Sequence, residues 1–394
     1  MQLRNTMLIG LLALTALSGC AWFSGKEDVI TMSPLPKVEN QFQPTMLWKH
    51  LVSSGGLSHV HSKLSPASQA SRVFVADPYG MIMALDTESG KEIWSKNLAI
   101  RTKFFSYTHS AQLSGGVTVA GKRIYIGSEL AKVYAIDSQN GKLVWERMVA
   151  GEALSMPVVS DGVVLVHTSN GMLQALNKSD GAVKWTAVLS EPVLTLRGES
   201  APTTAFGAAI VGDDNGQVNA VMISQGKMIW QQRISKVSGP TEMTRIHDVQ
   251  STPVVVNNVV YAQAYNGNIA ALDLQSGRVK WLREIGSSSN FLVNKERIYL
   301  LDQNDCLMAL NTQDGMTLWS QSELKYRNLT SPVLYKNYIV TGDSEGYLHW
   351  IDTNNGQFVA QQKVDSAGFL VAPIIAGDKL IVQAKNGEVY AIIC

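Results

Sequence analysis

Side chains able to do chemistry are few in this chain, and their spacing argues against catalysis. His59 and His61 could offer two imidazoles to a metal, but no acidic residue or cysteine lies near them in sequence, and a zinc site needs three or four such ligands. The cysteines are Cys20, Cys306 and Cys394. No two are adjacent, and the last two fall in different repeats, so no structural disulfide is expected. No glycine-rich loop opens a helix to cradle phosphate, and no serine or cysteine sits in a nucleophile motif. The expectation is a chain with no catalytic residue, no metal and no cofactor.

Binding is the better use for what remains. Residues 193–199 read Val-Leu-Thr-Leu-Arg-Gly-Glu. If this segment is extended, Leu194 and Leu196 point the same way, because side chains alternate along a strand, and Arg197 sets a guanidinium beside them. Two aliphatic groups next to an arginine have the make-up of an interface anchor. The alternative is that both leucines pack down onto the sheet beneath. A second segment, Arg245-Ile-His-Asp248-Val-Gln250, lies beside the first in the repeat register. Asp248 can pair with Arg197 or with a partner; alone it is an ordinary loop carboxylate.

Both segments interrupt a regular pattern, in which a proline is followed by an alanine 18 residues later and a tryptophan 10 residues after that. The alanine position holds Ala84, Ala135, Ala175, Ala220, Ala271, Ala309, Trp350 and Ala391, which makes eight repeats. Six repeats carry the proline, while Val117 and Phe291 replace it in the second and sixth. The tryptophans are Trp94, Trp145, Trp185, Trp230, Trp281 and Trp319, with Ala360 in repeat seven. A spacing of 38 to 51 residues between successive alanine positions points to a solenoid, a propeller or an array.

One repeat decides among these. After Pro157 come the turn Asp161-Gly162, an apolar run, the turn Asn170-Gly171, a second run, the turn Asp180-Gly181 and a third run. Asn-Gly and Asp-Gly supply the positive φ of tight antiparallel hairpins. Four short strands repeated eight times predict an all-β, eight-bladed β-propeller of four-stranded antiparallel blades. The last repeat stops at Cys394, before its tryptophan strand, and residues 45–52, containing Trp48, match the missing piece. They are expected to complete the last blade and close the ring. A small alanine leaves room for the neighbouring indole, which covers the join between blades. Functional variation then belongs in the connections. Those before repeats four and five span 17 and 23 residues from tryptophan to proline, and the 23-residue connection before repeat two is a second candidate.

The ends and the bulk composition set the setting. Residues 1–19 read as an export signal, with Arg4 ahead of an apolar stretch too short to span a bilayer. Residues 20–44 read as an extended tether, and residues 45–394 as the propeller. Lys plus Arg and Asp plus Glu number 33 and 32. Such a balance gives no bulk attraction to nucleic acid.

Three resemblances sharpen this reading. Leu17-Ser18-Gly19-Cys20 resembles the bacterial lipobox, which implies acylation of Cys20; Ala21 after it, rather than aspartate, implies the outer membrane. The Ala, Gly and Trp elements resemble the repeat of pyrroloquinoline-quinone dehydrogenases and their non-enzymatic relatives. The enzymes carry a vicinal cysteine pair that this chain lacks, so a quinone-type or other small-ligand-binding propeller enzyme is the alternative reading. Finally, Met32-Ser-Pro-Leu-Pro, His167-Thr-Ser-Asn-Gly and Arg197-Gly-Glu-Ser-Ala-Pro-Thr-Thr-Ala-Phe-Gly resemble the propeller lipoproteins of the outer-membrane β-barrel assembly machinery. That resemblance implies a non-catalytic scaffold on the periplasmic face, which binds the POTRA domains of BamA and assists folding and insertion of outer-membrane proteins. Nascent outer-membrane proteins are a further implied partner. The implied contact residues are Leu194, Leu196, Arg197 and Asp248, with Gln250 where the family has a second acid.

Overall fold

Each repeat folds as its turn residues dictate. The structure, a computed structural model, describes residues 31–52, 64–101, 108–189, 198–235 and 248–394. In blade 3, Asp161 and Gly162, at φ 50° and 76°, join Val158–Ser160 to Val163–Thr168. Gly171 at φ 71° leads into Met172–Asn177, and Gly181 at φ 74° into Val183–Val188. The four strands pair in sequence order, and eight such sheets make the propeller. First strands of neighbouring blades touch: Ala67–Gln69 of blade 1 meets Leu113–Ala120 of blade 2 and Ile374–Ala376 of blade 8. The first strand of each blade therefore lines the axis.

Because the chain reverses at every hairpin, the turns between second and third strands share one face with the connections between blades. We call it the loop face. The remaining hairpin turns lie on the opposite face. Second and third strands are covered on both sides by adjacent blades and so read as continuous apolar runs. Val163–Thr168 is buried at every position, whereas the outer strand Val183–Val188 alternates between exposed and half-buried.

The ring closes as the repeat count requires. Thr45–Leu51 pairs antiparallel with Glu388–Ile393 as the fourth strand of blade 8. Trp48 then does for blade 1 what the other tryptophans do for their next neighbours. Each repeat alanine faces its tryptophan across the last two strands, as in Ala84 with Trp94 and Ala391 with Trp48. The indole lies over a turn glycine of the following blade: Trp48 over Gly90, Trp94 over Gly141, Trp319 over Gly356. A Cβ on Gly90 would sit 2.5 Å from the Trp48 ring. The indole N–H donates to a carbonyl beside that turn, at 2.9 Å from Trp48 to Thr87, 3.1 Å from Trp94 to Ser138 and 3.0 Å from Trp319 to Thr353. Each tryptophan thus buries apolar area and satisfies its one polar atom across a blade junction.

Two exceptions in the pattern have structural reasons. Val117 stands where other repeats have proline, and its N–H donates to the Ser65 carbonyl at 3.2 Å, a bond proline could not make. Repeat seven exchanges its pair, with Trp350 on the third strand facing Ala360 on the fourth. The outer side of that blade is covered from elsewhere: Phe42 lies 5.2 Å from Tyr338 and edge-on to Trp350 at 6.3 Å, ring centre to ring centre. Attachment to the ring therefore begins before Thr45.

Candidate functional site

The connections before blades 4 and 5 meet on the loop face, as the repeat register requires. The first is described from Gly198 and the second from Asp248; Leu194, Leu196 and Arg197 lie outside the described residues, as do Cys20, His59 and His61. The Gln250 side-chain amide donates to the Gly198 carbonyl at 3.3 Å. The Ser200 hydroxyl donates to the Ser251 carbonyl at 3.1 Å. Gly198 has φ +154°, and a Cβ there would lie 3.2 Å from the Gln250 side chain. Gln250 thus supplies an amide donor, which a carboxylate in its place could not.

Asp248, expected to pair with Arg197 or with a partner, lies under cover rather than on the surface. The residue is fully buried: its carbonyl accepts from Tyr265 N–H at 2.8 Å, and the next residue, Val249, donates its N–H to Asp213 at 2.9 Å. These bonds pin the end of the connection to the second-to-third-strand turns of blades 5 and 4. Gly212 makes room for it, since a Cβ there would meet Val249 at 2.3 Å.

Beneath the two connections lies an acidic group invisible to sequence spacing. Glu199, from the first connection, is 2% exposed in its side chain, and its Oε2 lies 3.5 Å from Nε2 of His167. Asp214, from the blade 4 turn, is also buried. Burial, then the charges of Asp214, Asp248 and Glu152, push the Glu199 carboxyl up to about 9. Burial, Asp248 and Asp213 push Asp214 up to about 7. His167 is held down to about 4 by burial. Its Nδ1 lies 2.9 Å from the Ser200 carbonyl and so carries the ring proton, leaving Nε2 as a lone pair facing a protonated Glu199. At neutral pH Glu199 and His167 are therefore both uncharged. His167 had a signal in the sequence, as a ring-bearing polar residue inside an apolar strand; Glu199 and Asp214 had none, because their meeting depends on how adjacent blades pack.

The same face carries a cavity of about 400 Å³, whose lining includes Glu199, Gln250, Thr252, Asn290, Asp302 and Asp305. Asn290 bridges the rim: its side-chain carbonyl accepts from Thr252 N–H at 2.7 Å, and its N–H donates to Ser331 Oγ at 2.9 Å. Besides the uncharged Glu199, the described lining contains the acids Asp302 and Asp305 and no lysine or arginine. Pyrroloquinoline quinone is itself a tricarboxylate, so this lining would repel it, and we derive no chemistry through that group. Cys306 and Cys394 are both free thiols.

Comparison with known proteins gives one answer across the chain. The sequence profile described as outer membrane protein assembly factor BamB matches residues 42–106, 99–321 and 288–392. A curated relative of that name from Yersinia pestis is 60% identical over 391 residues, covering 99% of each chain. One from Escherichia coli K12 is 59% identical over 392 residues, covering all of both. Among solved structures, BamB from Moraxella catarrhalis aligns with a TM-score of 0.78 at 24% identity, over 89% of this chain and 100% of that one. A europium-containing methanol dehydrogenase aligns with a TM-score of 0.72 at 13% identity, over 90% and 95%. At such identities, both structural likenesses are likenesses of fold.

Proposed function

The chain belongs to the family of BamB outer membrane protein assembly factors, and on that premise we propose that it is a non-catalytic scaffold of the Bam complex. In this reading Cys20 carries the lipid that holds it to the periplasmic face of the outer membrane. The connection before blade 4 presents Leu194, Leu196 and Arg197 to the periplasmic POTRA domains of BamA. Asp248, buried near the end of the following connection, holds that connection in place rather than touching the partner. The scaffold thereby assists folding and insertion of outer-membrane β-barrel proteins, whose nascent strands are a second partner through pairing at blade edges.

The observation that carries this reading is the joining of the two connections, Gly198 to Gln250 and Ser200 to Ser251. It gives the segment that ends at Arg197 a fixed base on a rigid ring. Fixed bases lower the ordering cost of binding, which is how a short aliphatic patch becomes an anchor. The test is capture of purified BamA POTRA domains by the protein and by the triple variant Leu194→Ala, Leu196→Ala, Arg197→Ala. The variant is expected to melt like the parent and lose most of its capture. Undiminished capture by the folded variant overturns the site.

A further inference from the structure

Resting on the reading of Cys20 as the membrane anchor, we infer that the segment from Ser33 to Phe42 is a strap that fixes which face of the ring meets the membrane, and that this is the loop face. The strap lies on blade 7. Ser33 N–H donates to the Lys325 carbonyl at 3.0 Å, and the Ser33 carbonyl accepts from Arg327 Nη1 at 2.8 Å. Lys325 and Arg327 belong to the connection between blades 6 and 7, so Ser33 sits on the loop face. The strap then descends the outer strand Phe358–Lys363. Asn40 exchanges two hydrogen bonds with the Gln361 backbone, at 3.0 and 2.9 Å, and Gln41 N–H donates to Val359 at 2.8 Å. It ends with Phe42 against Tyr338 and Trp350, on the blade whose outer strand has alanine where its neighbours carry tryptophan.

Arg327 makes this docking specific. Its residue is 1% exposed, its Nε donates to Asp343 at 2.8 Å, its Nη2 pairs with Glu345, and Nη1 has the Ser33 carbonyl. Lifting the strap would deprive a buried cation of an acceptor, a loss that neutral surface contacts would not impose. The strap is thus held at both ends, by a charge-assisted hydrogen bond at the loop face and by aromatic packing lower on the rim.

Chain reach turns this docking into an orientation. Ser33 lies thirteen residues after Cys20, a span of at most ~45 Å when fully extended. A blade strand of six residues such as Phe358–Lys363 is ~20 Å long. Presenting the opposite face to the bilayer would take up nearly half of that reach in passing down the rim, whereas the loop face needs none of it. The connections before blades 4 and 5 then open into the space between ring and membrane.

The full chain, reconstituted through Cys20 into vesicles with acceptor-labelled lipid, tests this. A donor dye is click-coupled to p-azidophenylalanine replacing Asn304 or Lys385 on the loop face, or Ser179 or Gln275 on the opposite face. Energy transfer to the lipid is expected to be stronger from the loop-face positions. Asn40→Ala with Phe42→Ala, which leaves the blades intact, is expected to erase that contrast while the protein stays bound. Equal or reversed transfer in the parent chain overturns the inference, as does an undiminished contrast in the double variant. Mass spectrometry of Cys20 separately tests acylation; should the thiol be free, coupling it to a maleimide lipid lets the same measurement decide the strap.

Discussion

Gln250 donates its side-chain amide to the Gly198 carbonyl at 3.3 Å, and that bond joins two connections separated by a whole blade in sequence. Gln250→Glu removes the donor and adds a carboxylate to a buried neighbourhood that already holds Glu199, Asp214 and Asp248. A hydrogen bond lost at this part-buried carbonyl costs about 1 kcal/mol. The variant is expected to unfold at lower urea than the parent at neutral pH. Equal urea midpoints for variant and parent would show that the amide is not what joins the connections.

The junction tryptophans predict a graded series. Trp319→Ala removes both the ring over Gly356 and the 3.0 Å bond to Thr353, with an expected loss of about 3 kcal/mol. Trp319→Phe keeps a ring and loses the N–H, for about 1 kcal/mol. Gly356→Ala attacks the same contact from the other side: its Cβ would lie 2.5 Å from the indole, at a backbone φ of +73°. Denaturant titration should therefore rank Trp319→Phe mildest of the three.

The regular part of this architecture was legible because it is local. Pro, Ala and Trp recur at fixed offsets since each occupies one place in a four-stranded sheet, and the closing strand was legible because Trp48 repeats that place at the other end of the chain. The meeting of the connections before blades 4 and 5 followed from register as well. The burial of Asp248, and the neutral pair of His167 and Glu199, did not. They depend on packing between blades, and a carboxylate in a loop looks the same in sequence whether a neighbouring turn covers it or not. The strap was hidden for the same reason: Ser33, Asn40 and Phe42 share no period, and only the exchange of Trp350 and Ala360 marked the blade that receives it.

Protonation beneath the connections gives stability a pH dependence whose sign is fixed. An acid raised to about 9, as Glu199 is, holds its proton in the fold and loses it on unfolding, so stability falls as pH climbs from the ordinary carboxylate range toward 9. Asp214, raised to about 7, adds to that fall up to neutrality. His167, held down to about 4, acts oppositely and only below 6.5, where stability rises with pH. Between pH 7 and 9 Glu199 is the main contributor of the three, with a slope of at most about 1.4 kcal/mol per pH unit. Glu199→Gln should flatten that limb in urea titrations at pH 7, 8 and 9; an unchanged slope would remove Glu199 as its source.

Arg327 offers the sharpest separation between the ring and its strap. Arg327→Ala leaves Asp343 buried without the 2.8 Å guanidinium bond, although His349 still faces it at 3.1 Å, and breaking a buried pair this way costs about 3–5 kcal/mol. Phe42→Ala touches no charge and removes only the aromatic contact with Tyr338 and Trp350. Both should loosen the strap, which contains the exposed Lys37, so trypsin is expected to cut after Lys37 faster in each variant than in the parent. Only Arg327→Ala should also lower the global unfolding midpoint markedly. If Phe42→Ala left cleavage at Lys37 unchanged while Arg327→Ala accelerated it, the arginine alone would hold the strap. The aromatic contact would then serve the blade rather than the docking, because a strap held at two points loosens when either is lost.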